Sequence, residues 1–81
     1  MHYVYVLKCN NGDLYTGFSS DLKTRIKAHK LGKVRSTKSK LPIELIYYEA
    51  YRDKKDATMR EYNLKTGQQK ELLRKRLSNS I

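Results

Sequence analysis

With 81 residues the chain has room for one domain, expected over residues 1–81, and for a core too thin to bury idle polar groups. A single cysteine, Cys9, excludes an internal disulfide, no Cys/His cluster suggests zinc, and no apolar run has the ~18 residues of a membrane span. The net charge of +10 implies a polyanionic partner, and nucleic acid leads over a membrane surface because the basic residues alternate with aromatic strands rather than lining one long amphipathic helix. A signal-peptide h-region is not seen, and the lone thiol points to a reducing, cytoplasmic location.

The first strand is expected at residues 2–9, "HYVYVLKC", and the second at residues 13–18, "DLYTGF", joined by the turn signal Asn10-Asn11-Gly12. The length of that turn decides which side chains share a face. A two-residue turn pairs Tyr5 with Phe18 and sends Tyr5 and Tyr15 to opposite faces. A three-residue turn with Gly12 in the left-handed region pairs Tyr5 with Gly17 and Leu7 with Tyr15, and the two tyrosines then lie together.

A first helix is expected from an N-cap at Ser20, with Asp21 in the first turn, to Gly32. Leu22, Arg25, Ile26 and His29 form one stripe by i, i+3, i+4, i+7 spacing, while Lys23, Lys27 and Lys30 lie elsewhere around the cylinder. A basic loop, "GKVRSTKSKLP", leads through Pro42 to a third strand at residues 43–51. Asp53 caps a second helix that stops at Gly67, and a third helix over residues 68–78 turns Leu72, Leu73 and Leu77 inward. The order β-β-α-β-α-α makes strand three parallel to strand two. An antiparallel sheet then needs strand one between them, giving an α+β fold with strand order 2-1-3 flanked by three helices.

Arg25 and His29 have two readings. In one, Arg25 flanks the stripe and reaches to water while His29 is a helix-end histidine favoured by the dipole. In the other, the stripe faces a cleft where arginine grips a phosphate with its fork and histidine assists proton transfer. Glu61 is equally open. It precedes Lys65 by four residues as an ordinary ion pair, with Met59 and Tyr62 as the alternative buried face, or it is the oxygen ligand of a hard divalent cation. Asp21 and Asp53 look like helix starters, Asp56 falls in a first turn, Asp13 follows a turn and Glu71 belongs to the outer helix. Too few carboxylates therefore converge for two metals, and one Mg²⁺ completed by waters and a substrate phosphate is the chemistry that fits. Most of the tyrosines pack strands, with Tyr5 and Tyr15 undecided. Cys9 reads as a small core residue, and neither a serine triad nor a P-loop is present.

"YVY" at residues 3–5, "YTG" at 15–17, Arg25, His29 and Glu61 after Ala57 occur in the order of the motifs of the GIY-YIG nuclease superfamily, which the chain resembles over nearly its whole length. The resemblance implies a three-stranded antiparallel sheet flanked by helices and cleavage of a phosphodiester, in DNA rather than RNA, with one Mg²⁺ or Mn²⁺. It makes Glu61 the metal ligand and Arg25 the holder of the scissile phosphate. Tyr5 and Tyr15 line the site, with Tyr15 or His29 positioning or deprotonating water. That site needs both tyrosines on one face, which selects the three-residue turn. Phosphate contacts are expected from Lys23, Lys27, Lys33, Arg35, Lys38 and Lys40. The chain departs from the pattern at Tyr3, Val4 and Thr16, at Phe18 where the repair-incision branch has lysine, and at Leu73 near a family asparagine. The alternative reading is a nucleic-acid-binding module on the same scaffold with little or no turnover.

Overall fold

The computed structural model describes residues 1–81, the surroundings of Gly67 apart. The elements are strands β1 (His2–Lys8) and β2 (Leu14–Ser19), helix α1 (Leu22–Lys30), strand β3 (Glu44–Tyr51) and helices α2 (Lys54–Lys65) and α3 (Gly67–Arg76). The sheet order is β2-β1-β3 with both pairings antiparallel, the α+β architecture expected from the element order. Val4, Tyr5, Val6 and Leu7 are each at most 1% exposed. Such an unbroken buried run marks a central strand covered on both faces, where an edge strand would alternate.

Asn10, Asn11 and Gly12 form a three-residue hairpin loop. Cys9 N–H donates to Asp13 O at 2.8 Å, Gly12 N–H to Cys9 O at 3.0 Å, and Gly12 takes φ +87°. A side chain would be strained there, so glycine is the residue that lets the loop close at this length. The resulting register pairs Tyr5 with Gly17 and Leu7 with Tyr15, placing both tyrosines on one face.

The cap of α1 is Asp21, not Ser20. Its carboxylate accepts from Thr24 N–H at 3.2 Å and Thr24 O–H at 2.9 Å, while Ser19 Oγ accepts from Asp21 N–H. A carboxylate one residue later reaches the third helical amide, and Ser20 is left as a bend. At the other end Gly32 (φ +73°) donates to His29 O and Lys33 to Ala28 O, the paired bonds of a Schellman cap. The following segment is not wholly irregular: it contains a short 3-10 helix at Lys38–Lys40, and Asn10 N–H is tied to Lys40 O at 2.9 Å.

The sheet divides the core. On one face Val4 and Val6 pack with Ala57, Leu64, Leu73 and Leu77; on the other Tyr5, Leu7 and Cys9 pack with Ile26 and Ile43. Cys9 is the small core residue expected. A bulge opposite Val6/Leu7 turns both Ile46 and Tyr47 toward the α2 side. There Glu49 accepts from Arg60 Nε at 2.8 Å, from Arg60 NH2 at 3.1 Å and from the hydroxyls of Tyr47 and Tyr51.

Two expectations for the last helices change. Leu72 is 54% exposed, because Leu73 and Leu77, one turn apart, already fill the contact with α2. Met59 and Tyr62 are exposed as well, so Ala57 and Leu64 define the buried stripe of α2. The C-cap of α2 is Thr66, so the helix stops one residue before the expected Gly67, which is the first residue of α3. Among the described residues no helix is long and apolar enough to cross a membrane.

Candidate active site

Tyr5 starts in the central strand and its ring passes over its cross-strand neighbour Gly17. A Cβ on Gly17 would stand 2.8 Å from Tyr5 Cε2 and closer still to Cζ and the hydroxyl. Glycine is needed here for space, since its backbone is not in the left-handed region. The Tyr5 hydroxyl meets His29 Nε2 at 2.8 Å, and His29 Nδ1 meets Thr37 Oγ1 at 2.7 Å. Tyr5, His29 and Thr37 are all fully buried. The histidine is therefore fully buried, not the partly buried helix-end dipole partner of the first reading. It is a buried link between the central strand and the basic loop.

Arg25, one turn before His29, is exposed, yet its Nε donates to the Tyr5 oxygen at 3.4 Å. That bond raises the guanidinium pKa against the opposing effect of burial. Burial, and then the Arg25 charge, push His29 below the ordinary imidazole range, so the ring is neutral at pH 7 with one N–H to share. The Tyr5 oxygen already receives Arg25, which favours Tyr5 O–H donating to Nε2 and Nδ1–H donating to Thr37. Burial raises the Tyr5 pKa, the Arg25 bond opposes it, and Tyr15 and Glu61 add to the rise. Tyr15 closes the group, its ring centroid 5.3 Å from that of His29 and 6.4 Å from that of Tyr5.

Tyr5, Tyr15, Arg25 and His29 thus meet. Glu61 approaches from α2, where its Oε2 lies 3.1 Å from Lys65 Nζ as the ordinary i, i+4 pair. Its charge also reaches the Tyr5 hydroxyl. No group of three His, Cys, Asp or Glu side chains among the described residues can cage a metal. One partly buried carboxylate suits a hard cation that keeps waters and takes its remaining oxygens from substrate. Of the residues expected at phosphates, Lys23 and Lys27 line an open groove beside α1, Lys33, Arg35 and Lys38 are exposed, and Lys40 is 3.7 Å from Asp13.

Gly17 and Thr37 are the site residues that the sequence reading missed. A glycine inside a strand pattern is a recognised sign of close approach, so Gly17 carried a signal. Thr37, set among serine and lysines, carried none.

A central tyrosine, a strand glycine beneath it, and arginine and histidine one turn apart define a GIY-YIG fold and motif arrangement. The family model for the GIY-YIG catalytic domain matches residues 1–77, and the chain belongs to that family. It is similar to a UPF0213 protein of Staphylococcus epidermidis, 47% identical over 66 residues covering 80% of each chain. It is also similar to UPF0213 proteins of Staphylococcus aureus, 40% identical over 74 residues covering 90% of each. The solution NMR structure of a UPF0213 protein from Bacillus halodurans superposes with a TM-score of 0.59 at 36% identity, over 94% of this chain and 83% of that one.

Proposed function

We propose that the protein is a divalent-metal-dependent endonuclease that hydrolyses phosphodiester bonds in DNA with little sequence specificity, working in the cytoplasm. The observation that carries the reading is the meeting of the exposed Arg25 guanidinium with the buried Tyr5 phenol, whose hydroxyl is in turn bonded to the buried, neutral His29 imidazole. With Nε on Tyr5, Arg25 has its two terminal nitrogens as the donors for the scissile phosphate, which they hold bidentately. Tyr15 or His29 positions or deprotonates the attacking water; His29, being buried, acts through the Tyr5 hydroxyl, taking that O–H proton on Nε2 as Tyr5 takes one from the water. Glu61 is the ligand for Mg²⁺ or Mn²⁺, with waters and the substrate phosphate as the other donors. Bound there, the cation would polarise the phosphoryl oxygen and offset charge in the transition state. Lys33, Arg35 and Lys38 contact phosphates, which position a duplex without identifying its bases.

The test is incubation of the protein with supercoiled plasmid and Mg²⁺ or Mn²⁺, against an EDTA control and the Glu61→Gln variant. Nicking that needs metal and is abolished in Glu61→Gln, with DNA binding retained, supports the reading. A second reading, a binding module without turnover, is favoured by one observation: the Tyr5 hydroxyl is already engaged on two sides and kept protonated. Retarded but intact plasmid selects it.

A further inference from the structure

An open groove of about 770 Å³ runs along the flank of α1 facing β1 and β3, apart from the Tyr5–His29 cluster. Lys23, Lys27 and Lys30 line one wall, in a row set by i, i+4, i+7 spacing that extends roughly 10 Å along the helix. Tyr3 and Tyr48 form the other wall, their rings edge to face with centroids 6.2 Å apart. Tyr48 is 53% exposed, although it is a β-strand aromatic above an apolar floor of Ile26 and Leu45. Asp21 is the carboxylate on the rim, and both its oxygens are engaged with Thr24 in the helix cap. The groove therefore pairs a cationic row with an open aromatic surface.

We infer that this groove is a binding track for single-stranded DNA, with the lysines on successive phosphates and the Tyr48 and Tyr3 rings stacking on unpaired bases. Lysines alone fit a duplex as well. The tyrosines decide the occupant, because bases inside a duplex have their faces covered by neighbours and only an unpaired base has a face free for a ring. The inference rests on the nucleic-acid part of the proposed function and is independent of cleavage. It narrows the substrate to DNA in which a single strand adjoins the cut, since a strand in the groove lies across α1 from Arg25.

The test is fluorescence anisotropy in EDTA with the full chain, labelled oligothymidylate and a blunt duplex. Tyr48→Ala is expected to weaken oligothymidylate binding by about five- to a hundredfold, the loss typical of one stacked base, and to leave duplex binding unchanged. Tyr48→Phe retains the ring and is expected to bind as the unaltered protein does. Replacing Lys23, Lys27 and Lys30 together by glutamine should reduce the slope of log affinity against log salt for the strand by about 2, at roughly 0.7 per phosphate. Far-ultraviolet circular dichroism checks that each variant is folded. Equal loss on strand and duplex, no loss on either, tighter binding of oligouridylate, or a Tyr48 effect confined to anionic phosphatidylserine vesicles would each overturn the track. Plasmid nicking alongside unaltered strand binding by Tyr48→Ala removes the track and keeps the nuclease. The expected Tyr48 effect without any nicking does the reverse.

Discussion

The ring of Tyr5 occupies the space where a side chain on Gly17 would stand. The two residues face each other across β1 and β2, so Gly17 cannot gain a side chain while the ring stays in place. Gly17→Ala should force the ring away from His29 and cost about 1–3 kcal/mol, the usual range for overpacking a filled core. Combined with Tyr5→Ala, the added methyl should cost much less, giving a coupling term that urea denaturation of the single and double variants reads directly. Additive losses would show that the ring has room to move.

Arg25 is exposed and makes one bond inward, so its removal should leave the fold intact. Arg25→Ala is expected to reduce plasmid nicking by ~10²–10³, the loss typical of one transition-state donor. Arg25→Lys should recover little, because an ammonium cannot make the paired contact of a guanidinium. Undiminished nicking by Arg25→Ala would take the arginine out of the reaction.

Arg60 offers the contrasting case on the opposite face of the sheet. Arg60 and Glu49 side chains are 25% and 16% exposed, so their ion pair is largely but not fully removed from water. Arg60→Met leaves Glu49 with only its two tyrosine donors and should cost about 1–3 kcal/mol, below the roughly 3–5 of a fully buried pair broken on one side. Nicking by the folded protein should stay near the original rate. A matching loss of rate and stability would mean that the two faces are mechanically coupled.

Stability should fall in two steps as pH is lowered. His29 is held below its ordinary pKa by burial and then by Arg25, so the unfolded chain takes up the proton first. Its contribution is complete above the unfolded value of about 6.5 and is lost as pH falls from there toward the folded value. Burial pushes Glu49 up, but the Arg60, Tyr47 and Tyr51 hydrogen bonds outweigh it and hold the group below the usual carboxylate range. Its contribution is present above about 4.3 and is lost as pH falls through the folded value. Urea midpoints between neutrality and strong acid should lose the upper step in His29→Gln and the lower step in Glu49→Gln. An upper step as large in His29→Gln as in the original chain would assign it to another group.

Thr37 sets the proton arrangement of the imidazole. Thr37→Val removes the oxygen that receives Nδ1–H and should cost about 1–3 kcal/mol for the unpaired buried group, while Thr37→Ser should restore most of it. Nitrogen-15 shifts of His29 should report Nδ1–H in the original protein and in Thr37→Ser, and a shift toward Nε2–H in Thr37→Val. The same tautomer in all three would leave Thr37 a packing residue only.

The hairpin register was legible only with the resemblance: Asn-Asn-Gly leaves a two- and a three-residue loop open, and the need for both tyrosines on one face selects the second. The central strand was legible from the element order, which needs strand one between the other two in an antiparallel sheet, and the Arg25–His29 stripe from helical spacing. What escaped depends on choices between neighbours or on distant partners. Ser20 and Asp21 are both good caps, and only backbone geometry selects one. Leu72 and Leu73 differ by 100° around a short helix, which pattern alone does not orient. Glu49 and Arg60 find each other because of how β3 and α2 pack, and the bulge at Val6/Leu7 leaves no mark in the residue types of either strand.

The three-residue hairpin loop also constrains how such chains diverge. Asn11 is tied to Asp13 by two side-chain hydrogen bonds and Asn10, among the described residues, by none, so a substitution here loosens the loop at most, but an inserted or deleted residue inverts the parity of β2, exchanging Tyr15 and Gly17 for Leu14, Thr16 and Phe18 beneath Tyr5. Descent can therefore rewrite that bend letter by letter, while any change in its count severs the phenols from one another in a single event.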